Sequence, residues 1–213
     1  MKNFSAVIFD LDGLLIDTEP TWFEAYWELC KRHKAHPESD IDKYTLGMGM
    51  KECIDVYRER NGLLGDTEEL IKEYRDIFYE LLFKKNLSLM EGARGLIENL
   101  EGKKIALATG GHNREMAVKL LKKTQVDRYF NRVVSSDQVK KGKPNPDIFL
   151  KAAEELGTEP SSCLVLEDAA YGVMAAKKAG MIAYGINKND EVRESLISAG
   201  ADRVFSSLNE MEL

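Results

Sequence analysis

The chain has 213 residues, about one and a half times a ~150-residue domain, with 44% apolar and 31% charged residues. That balance excludes disorder as the main state, and no stretch approaches the ~18 consecutive apolar residues of a membrane span. Thirty basic against 36 acidic residues leave a formal charge of −6, without the basic stripe that a nucleic-acid or anionic-membrane surface requires.

In chain order, Met1-Lys2-Asn3-Phe4 leads directly into the apolar run Ala6–Phe9, which stops at Asp10. This start lacks the longer apolar segment and cleavage site of a signal peptide, so a cytoplasmic location is expected. From about Asp17 to Asn86 the only periodicity is helical. Asp17-Thr18-Glu19-Pro20 supplies an N-cap and an early-turn proline for a first helix, on which Trp22, Tyr26 and Leu29 share a face. Met50, Cys53, Ile54 and Tyr57 mark a second helix, and Leu70, Tyr74, Ile77 and Leu81 a third.

The rhythm then changes. Apolar runs at 105–108, 132–134, 163–166 and 181–186, with a short one at 203–205, have the unbroken character of strands covered on both faces. Helices of crossover length lie between them. Residues 113–124 align Met116, Leu120 and Leu121, and residues 146–156 align Phe149, Ala152, Ala153 and Leu156. The pattern at 169–179 is closed by Gly180, and that at 190–199, with Val192 and Leu196, ends at Gly200. The expected fold is therefore α/β, a Rossmann-like doubly wound parallel sheet made by residues 1–16 and 88–213. Residues 17–87 would form a small inserted α-helical cap domain, with hinges around 14–18 and 86–91. Cys30, Cys53 and Cys163 are widely spaced among apolar neighbours and read as buried thiols in a reducing compartment.

Open parallel sheets bind ligands beyond the carboxyl ends of their strands. Here Asp10, Thr109 and Glu167-Asp168 each terminate an apolar run, and Asp12 follows two residues after Asp10. Carboxylates converging at one sheet edge repel one another and force some to protonate. A Mg²⁺ ion relieves this, typically taking one or two carboxylates, waters and a substrate phosphate. The pattern points to a metal and a phosphoryl group.

Asp10-Leu11-Asp12-Gly13-Leu14-Leu15-Ile16-Asp17-Thr18-Glu19-Pro20 resembles the nucleophile motif of the haloacid dehalogenase superfamily, in the subfamily of β-phosphoglucomutase and small sugar-phosphate phosphatases. Ala106-Leu107-Ala108-Thr109 resembles the second motif, Lys141-Gly142-Lys143-Pro144-Asn145-Pro146-Asp147 the third, and Leu166-Glu167-Asp168 the fourth. The resemblance implies a Mg²⁺-dependent phosphatase that hydrolyses a small phosphorylated metabolite, a sugar or nucleoside monophosphate, through an aspartyl-phosphate. Asp10 would be the nucleophile and Asp12 the general acid, then base. Thr109, Gly110 and Lys143 would bind phosphoryl oxygens. Asp10, Asp168 and the Asp12 backbone carbonyl would hold Mg²⁺, with Glu167 as a further ligand or as the partner of one.

Trp22, Gly47, Lys51, His112 and Asn113 are candidate substrate contacts, although Trp22 also fits a cap core and His112 a solvated helix start. Gly110-Gly111 stand where many relatives carry serines. Trp22 stands where the phosphoglucomutases carry a histidine, and Gly47-Met48-Gly49-Met50-Lys51 where they present an arginine. Lys51 would replace that arginine only as a point charge. The phosphatase reading therefore leads over a β-phosphoglucomutase-like isomerase. A non-catalytic phospho-Asp switch, as in receiver domains, is disfavoured by the cap and by the second aspartate. A monomer is expected, since a cap must open and close.

Overall fold

A strand with no polar position needs cover on both faces, and β1 (Ala6–Phe9) has it: all four residues are fully buried. Val7 and Phe9 enter one apolar cluster, Ala6 and Ile8 the other. In this computed structural model, which describes residues 4–100 and 102–211, β1 pairs in parallel with β2 (Lys104–Thr109) and β4 (Cys163–Glu167). The sheet is completed by β3 (Arg132–Ser135), β5 (Ile182–Ile186) and β6 (Arg203–Phe205) in the order β3-β2-β1-β4-β5-β6, every pair parallel. The apolar runs anticipated a doubly wound parallel sheet, and the structure adds its strand order, which reverses direction between β1 and β4. Residues 1–3, 101, 212 and 213 of the expected core lie outside the described residues.

Among the described residues, five helices cover the two faces of the sheet. Residues Ala93, Leu96 and Ile97 of α5 (Ala93–Asn99), and Ala117, Leu120 and Leu121 of α6 (Arg114–Lys123), pack into the Val7–Phe9 cluster. Phe149 and Ala152 of α7 (Asp147–Leu156), Val173 of α8 (Ala170–Lys178) and Leu196 of α9 (Asp190–Ser198) fill the opposite side. Periodicity did not announce α5, which is short and follows Gly92 without a side-chain cap.

Between β1 and α5 runs a helical layer: α1 (Glu19–Arg32), α2 (Asp42–Thr45), α3 (Met50–Asn61) and α4 (Thr67–Leu82). Asp66 caps α4 by accepting the N–H groups of Glu68 and Glu69. Two expectations are corrected here. Leu81 is only partly buried, and Leu82 with Phe78 takes the inward place, because α4 also buries Ile71 and Tyr79 on a broadened face. Thr18 occupies the N-cap of α1 but makes no capping bond, since its hydroxyl donates to Asp12 instead. The segments joining the layer to the sheet lie side by side. Met90 N–H donates to Leu15 O at 2.8 Å, and Ile16 bridges Leu89 antiparallel.

Cys30, Cys53 and Cys163 are free and buried. Among the described residues no helix is long and apolar enough to cross a membrane. Phe149 is fully buried under the sheet, so Phe149→Ala should cost about 3–5 kcal/mol of stability. Urea unfolding should show this as a lowered midpoint with an unchanged slope.

Candidate active site

The site is built on the two adjacent strand ends where the sheet order reverses. Asp10 follows β1 and is anchored by its own N–H, which donates to Leu166 O at 3.0 Å. Glu167 ends β4, and Asp168 follows it. All three carboxylates are buried, with oxygens lying within 4.8 Å of one another. Lys143, on the loop before α7, donates at 2.5 Å to both Asp10 Oδ1 and Glu167 Oε1. Gly172 of α8 makes room for Glu167, because a Cβ there would fall 1.9 Å from its carboxyl carbon. Gly13 does the same for Asp168. Its φ of +74° turns the chain so closely that a Cβ would lie 2.1 Å from Asp168 Oδ2.

Asp12 faces a different environment. Its Oδ1 accepts from Thr18 Oγ1 at 2.5 Å and Trp22 Nε1 at 3.3 Å, and lies 2.8 Å from His112 Nε2. Its Oδ2 accepts from Thr109 Oγ1 at 3.4 Å. His112 is fully buried, and its Nδ1 lies 3.0 Å from the Tyr79 hydroxyl of α4. The two aspartates are thus pushed apart electrostatically. Burial raises Asp10 to about 8, with Lys143 opposing and Glu167 and Asp12 reinforcing. Burial also pushes Asp12 up, but His112, by charge and hydrogen bond, and the donors Thr18 and Trp22 bring it below its ordinary value. Asp168 is raised well above the carboxylate range by burial, then by Glu167, Glu19 and Asp10. Lys143 is held above its usual value: burial opposes the charged form, but Asp10 and Glu167 outweigh it.

Asp10, Asp12, Gly110, Lys143, Glu167 and Asp168 line one cavity of about 110 Å³, together with Trp22 and Gly47. Other expected residues lie elsewhere. Thr109 is fully buried against Asp12 and does not line the cavity. His112, read as a substrate contact or a solvated helix start, is neither: it sits behind Asp12. Asn113 caps α6, accepting from Met116 N–H at 2.9 Å. Lys51 is exposed on α3 and does not line the cavity. Gly111 lies where a Cβ would come 3.0 Å from Asp12 Oδ2 and 3.4 Å from Trp22, so a serine there would crowd the Asp12 carboxylate.

Glu19 and Asp42 also line the cavity and escaped sequence reading, because each looks like an ordinary first-turn helix acid. Burial, then Asp42, raises Glu19 to about 6, and it shares a hydrogen bond with Asp168. That bond requires a proton on one of the two carboxyls. A hard divalent cation fits this donor set. The three clustered carboxylates oppose one ammonium, an excess of two negative charges in a buried site.

Residues 7–186 match the family model described as haloacid dehalogenase-like hydrolase. A phosphorylated carbohydrates phosphatase of Thermotoga maritima is 36% identical over 203 residues, spanning 92% of this chain and 91% of its own. A beta-phosphoglucomutase of Bacillus subtilis is 30% identical over 216 residues, spanning 98% and 92%. The crystal structure of a beta-phosphoglucomutase from Clostridium difficile shares the fold, with a TM-score of 0.86 at 23% identity over 99% of this chain and 94% of that one.

The raised carboxyls predict how pH acts on the metal-free protein. A group whose folded pKa exceeds its unfolded value stabilises below the unfolded value and loses that contribution as pH rises through the folded one. For Asp10 the window runs from 3.8 to about 8. Thermal midpoints measured in chelator should therefore fall between about pH 5 and pH 8. Added Mg²⁺ should flatten the decline, since the cation replaces the protons; parallel curves with and without Mg²⁺ would count against a metal on these residues.

Proposed function

The chain belongs to the haloacid dehalogenase-like hydrolases, and we propose that it is a Mg²⁺-dependent phosphatase of a small phosphorylated metabolite, working through an aspartyl-phosphate. One observation carries this reading: two aspartates two residues apart line one cavity with different partners, Asp10 beside Lys143, Glu167 and Asp168, and Asp12 among the donors Thr18, Trp22 and Thr109. Groups so differently partnered can divide nucleophilic and acid–base work, the ion cluster fixing Asp10 and the donor set orienting Asp12.

In the proposed reaction an Asp10 carboxylate oxygen attacks phosphorus, and the bond from phosphorus to the alcohol oxygen breaks. Asp12, held ionised in the metal-free protein by His112, Thr18 and Trp22, takes up a proton as the ester enters and gives it to that departing oxygen. Water then attacks the same phosphorus, Asp12 takes its proton back, and inorganic phosphate leaves with Asp10 restored. Lys143 and the Gly110 backbone N–H would hold phosphoryl oxygens, joined by Thr109 when its hydroxyl turns from Asp12. Asp10, Asp168, Glu167 and the Asp12 carbonyl would hold Mg²⁺, which when bound offsets the excess carboxylate charge and polarises phosphoryl oxygens. Residues 17–87 would act as a cap that closes over the ester in a monomeric, cytoplasmic enzyme.

The similarity to a beta-phosphoglucomutase raises a second reading, isomerisation through a bisphosphate. That reaction needs a second cationic site for the distal phosphate. Among the described residues Lys143 is the one basic side chain lining the cavity, and it is already paired to Asp10 and Glu167. Hydrolysis is the better supported outcome.

Asp10→Asn should abolish both phosphoenzyme formation and turnover. Asp12→Ala should behave differently with an aryl phosphate, whose good leaving group needs little acid assistance. Asp10 should still be phosphorylated, and its hydrolysis should slow by roughly 10²–10⁴-fold. Mass spectrometry of Asp12→Ala mixed with substrate should then find phosphate trapped on Asp10. Label on another residue would overturn the mechanism.

A further inference from the structure

Behind the cavity both nitrogens of one imidazole are in use. His112 is fully buried and does not line the cavity, so it has no access to an ester bound there. Its Nε2 lies 2.8 Å from Asp12 Oδ1 and its Nδ1 3.0 Å from the Tyr79 hydroxyl. An ionised carboxylate can only accept, so His112 presents an N–H at Nε2, while the Tyr79 hydroxyl holds Nδ1 from α4. Packing fixes the ring as well: Trp22, Phe78 and Tyr79 surround it, with ring centroids 5.6, 5.4 and 5.7 Å away.

The two oxygens of Asp12 are unequal. Oδ1 meets Thr18 Oγ1, Trp22 Nε1 and His112 Nε2, which fills its lone pairs. Oδ2 has the long 3.4 Å contact from Thr109. The Asp12 side chain is still 20% exposed, and Gly111, whose Cβ would come 3.0 Å from Oδ2, lines the cavity. The uncrowded oxygen is therefore Oδ2, on the cavity side. Thr18 and Trp22 reach Oδ1 from α1, whereas His112 reaches it from the loop after β2 that also carries Gly110. We propose that His112 is a positioning residue for the acid–base steps: it occupies Asp12 Oδ1 and so leaves Oδ2 as the atom that exchanges the proton. The Oδ2–H bond breaks as the departing oxygen gains its hydrogen, and it re-forms as water loses one and bonds to phosphorus. The inference rests on the phosphatase reading and adds to it which oxygen acts and what aims it.

The test follows para-nitrophenyl phosphate with the full chain and Mg²⁺. Here kcat/KM reports the steps up to departure of nitrophenol, which needs little acid, while kcat also contains breakdown of the phosphoenzyme, which needs the base. A misplacement of about 1 Å can cost on the order of 10²-fold. His112→Leu should therefore lower kcat by about 10²-fold with KM falling alongside, leave kcat/KM nearly unchanged, and release nitrophenol in a burst. His112→Gln, whose amide N–H can still reach Asp12, should recover most of kcat. Tyr79→Phe removes one oxygen and does not touch Asp12, which guards against misfolding of the leucine variant; it should move kcat and KM in the same direction, by less. An unmoved kcat in both His112→Leu and Tyr79→Phe would overturn the inference alone. So would a kcat lowered at constant KM with His112→Gln no better than His112→Leu, the pattern of a residue that merely fills the core. Absence of turnover in the wild-type protein would overturn the hydrolase reading and this inference with it.

Discussion

Lys143 stands between Asp10 and Glu167 in a site where almost no water reaches any of the three, and much of the surrounding structure follows from that burial. Removing one partner of such a pair typically costs about 3–5 kcal/mol, because the survivor is left charged and unsolvated. The ammonium balances one carboxylate, yet two sit on it and Asp168 adjoins them. The remaining charge must be met by protons or by a cation. Protons are what the raised values of Asp10 and Asp168 record, and a divalent ion carries the charge that would replace them. Gly13 and Gly172 belong to the same constraint, since each removes a side chain from ground that a carboxylate occupies.

Asp12 shows how little covalent distance is needed to change a carboxylate's behaviour. It lies two residues beyond Asp10 but outside the ion network, where its neighbours are donors and not acids. Thr18 and Trp22 come from the start of α1, Thr109 and His112 from the end of β2 and the loop after it. The Tyr79 hydroxyl ties His112 to α4 in turn. Asp12 is thus held jointly by the sheet and by the helical layer, so a movement of the layer would be felt directly at this carboxyl. Asp10 has no such dependence, being fixed by strand pairing and Lys143.

The fold was legible because its strands are covered on both faces, which leaves runs such as Cys163-Leu164-Val165-Leu166 unbroken by polar residues. The carboxylates were legible for a related reason: a charge that ends such a run has few structural uses. Periodicity failed where a helix buries more than a stripe, as with Leu81 and Leu82 of α4, and where a helix is as short as α5. Side chains whose partners lie far away in sequence were beyond its reach. His112 looks like a helix start until Tyr79 and Asp12 close on it from 33 and 100 residues away. Thr18 looks like a cap until Asp12 takes its hydroxyl. Lys51 looked like a substitute cation because of its place after a glycine turn, but the helix it lies on turns it to solvent.

The start of α1 joins these parts. Thr18 donates to Asp12, Glu19 bonds Asp168 and faces the cavity, and Trp22 donates to Asp12 while walling the same space. Stacking of Trp22 on Phe78, at 3.6 Å between ring centroids, fixes that turn against α4. The setting of Asp12 and the wall of the cavity therefore share one helical turn. A substitution there would alter both together, as Glu19 does by touching Asp168.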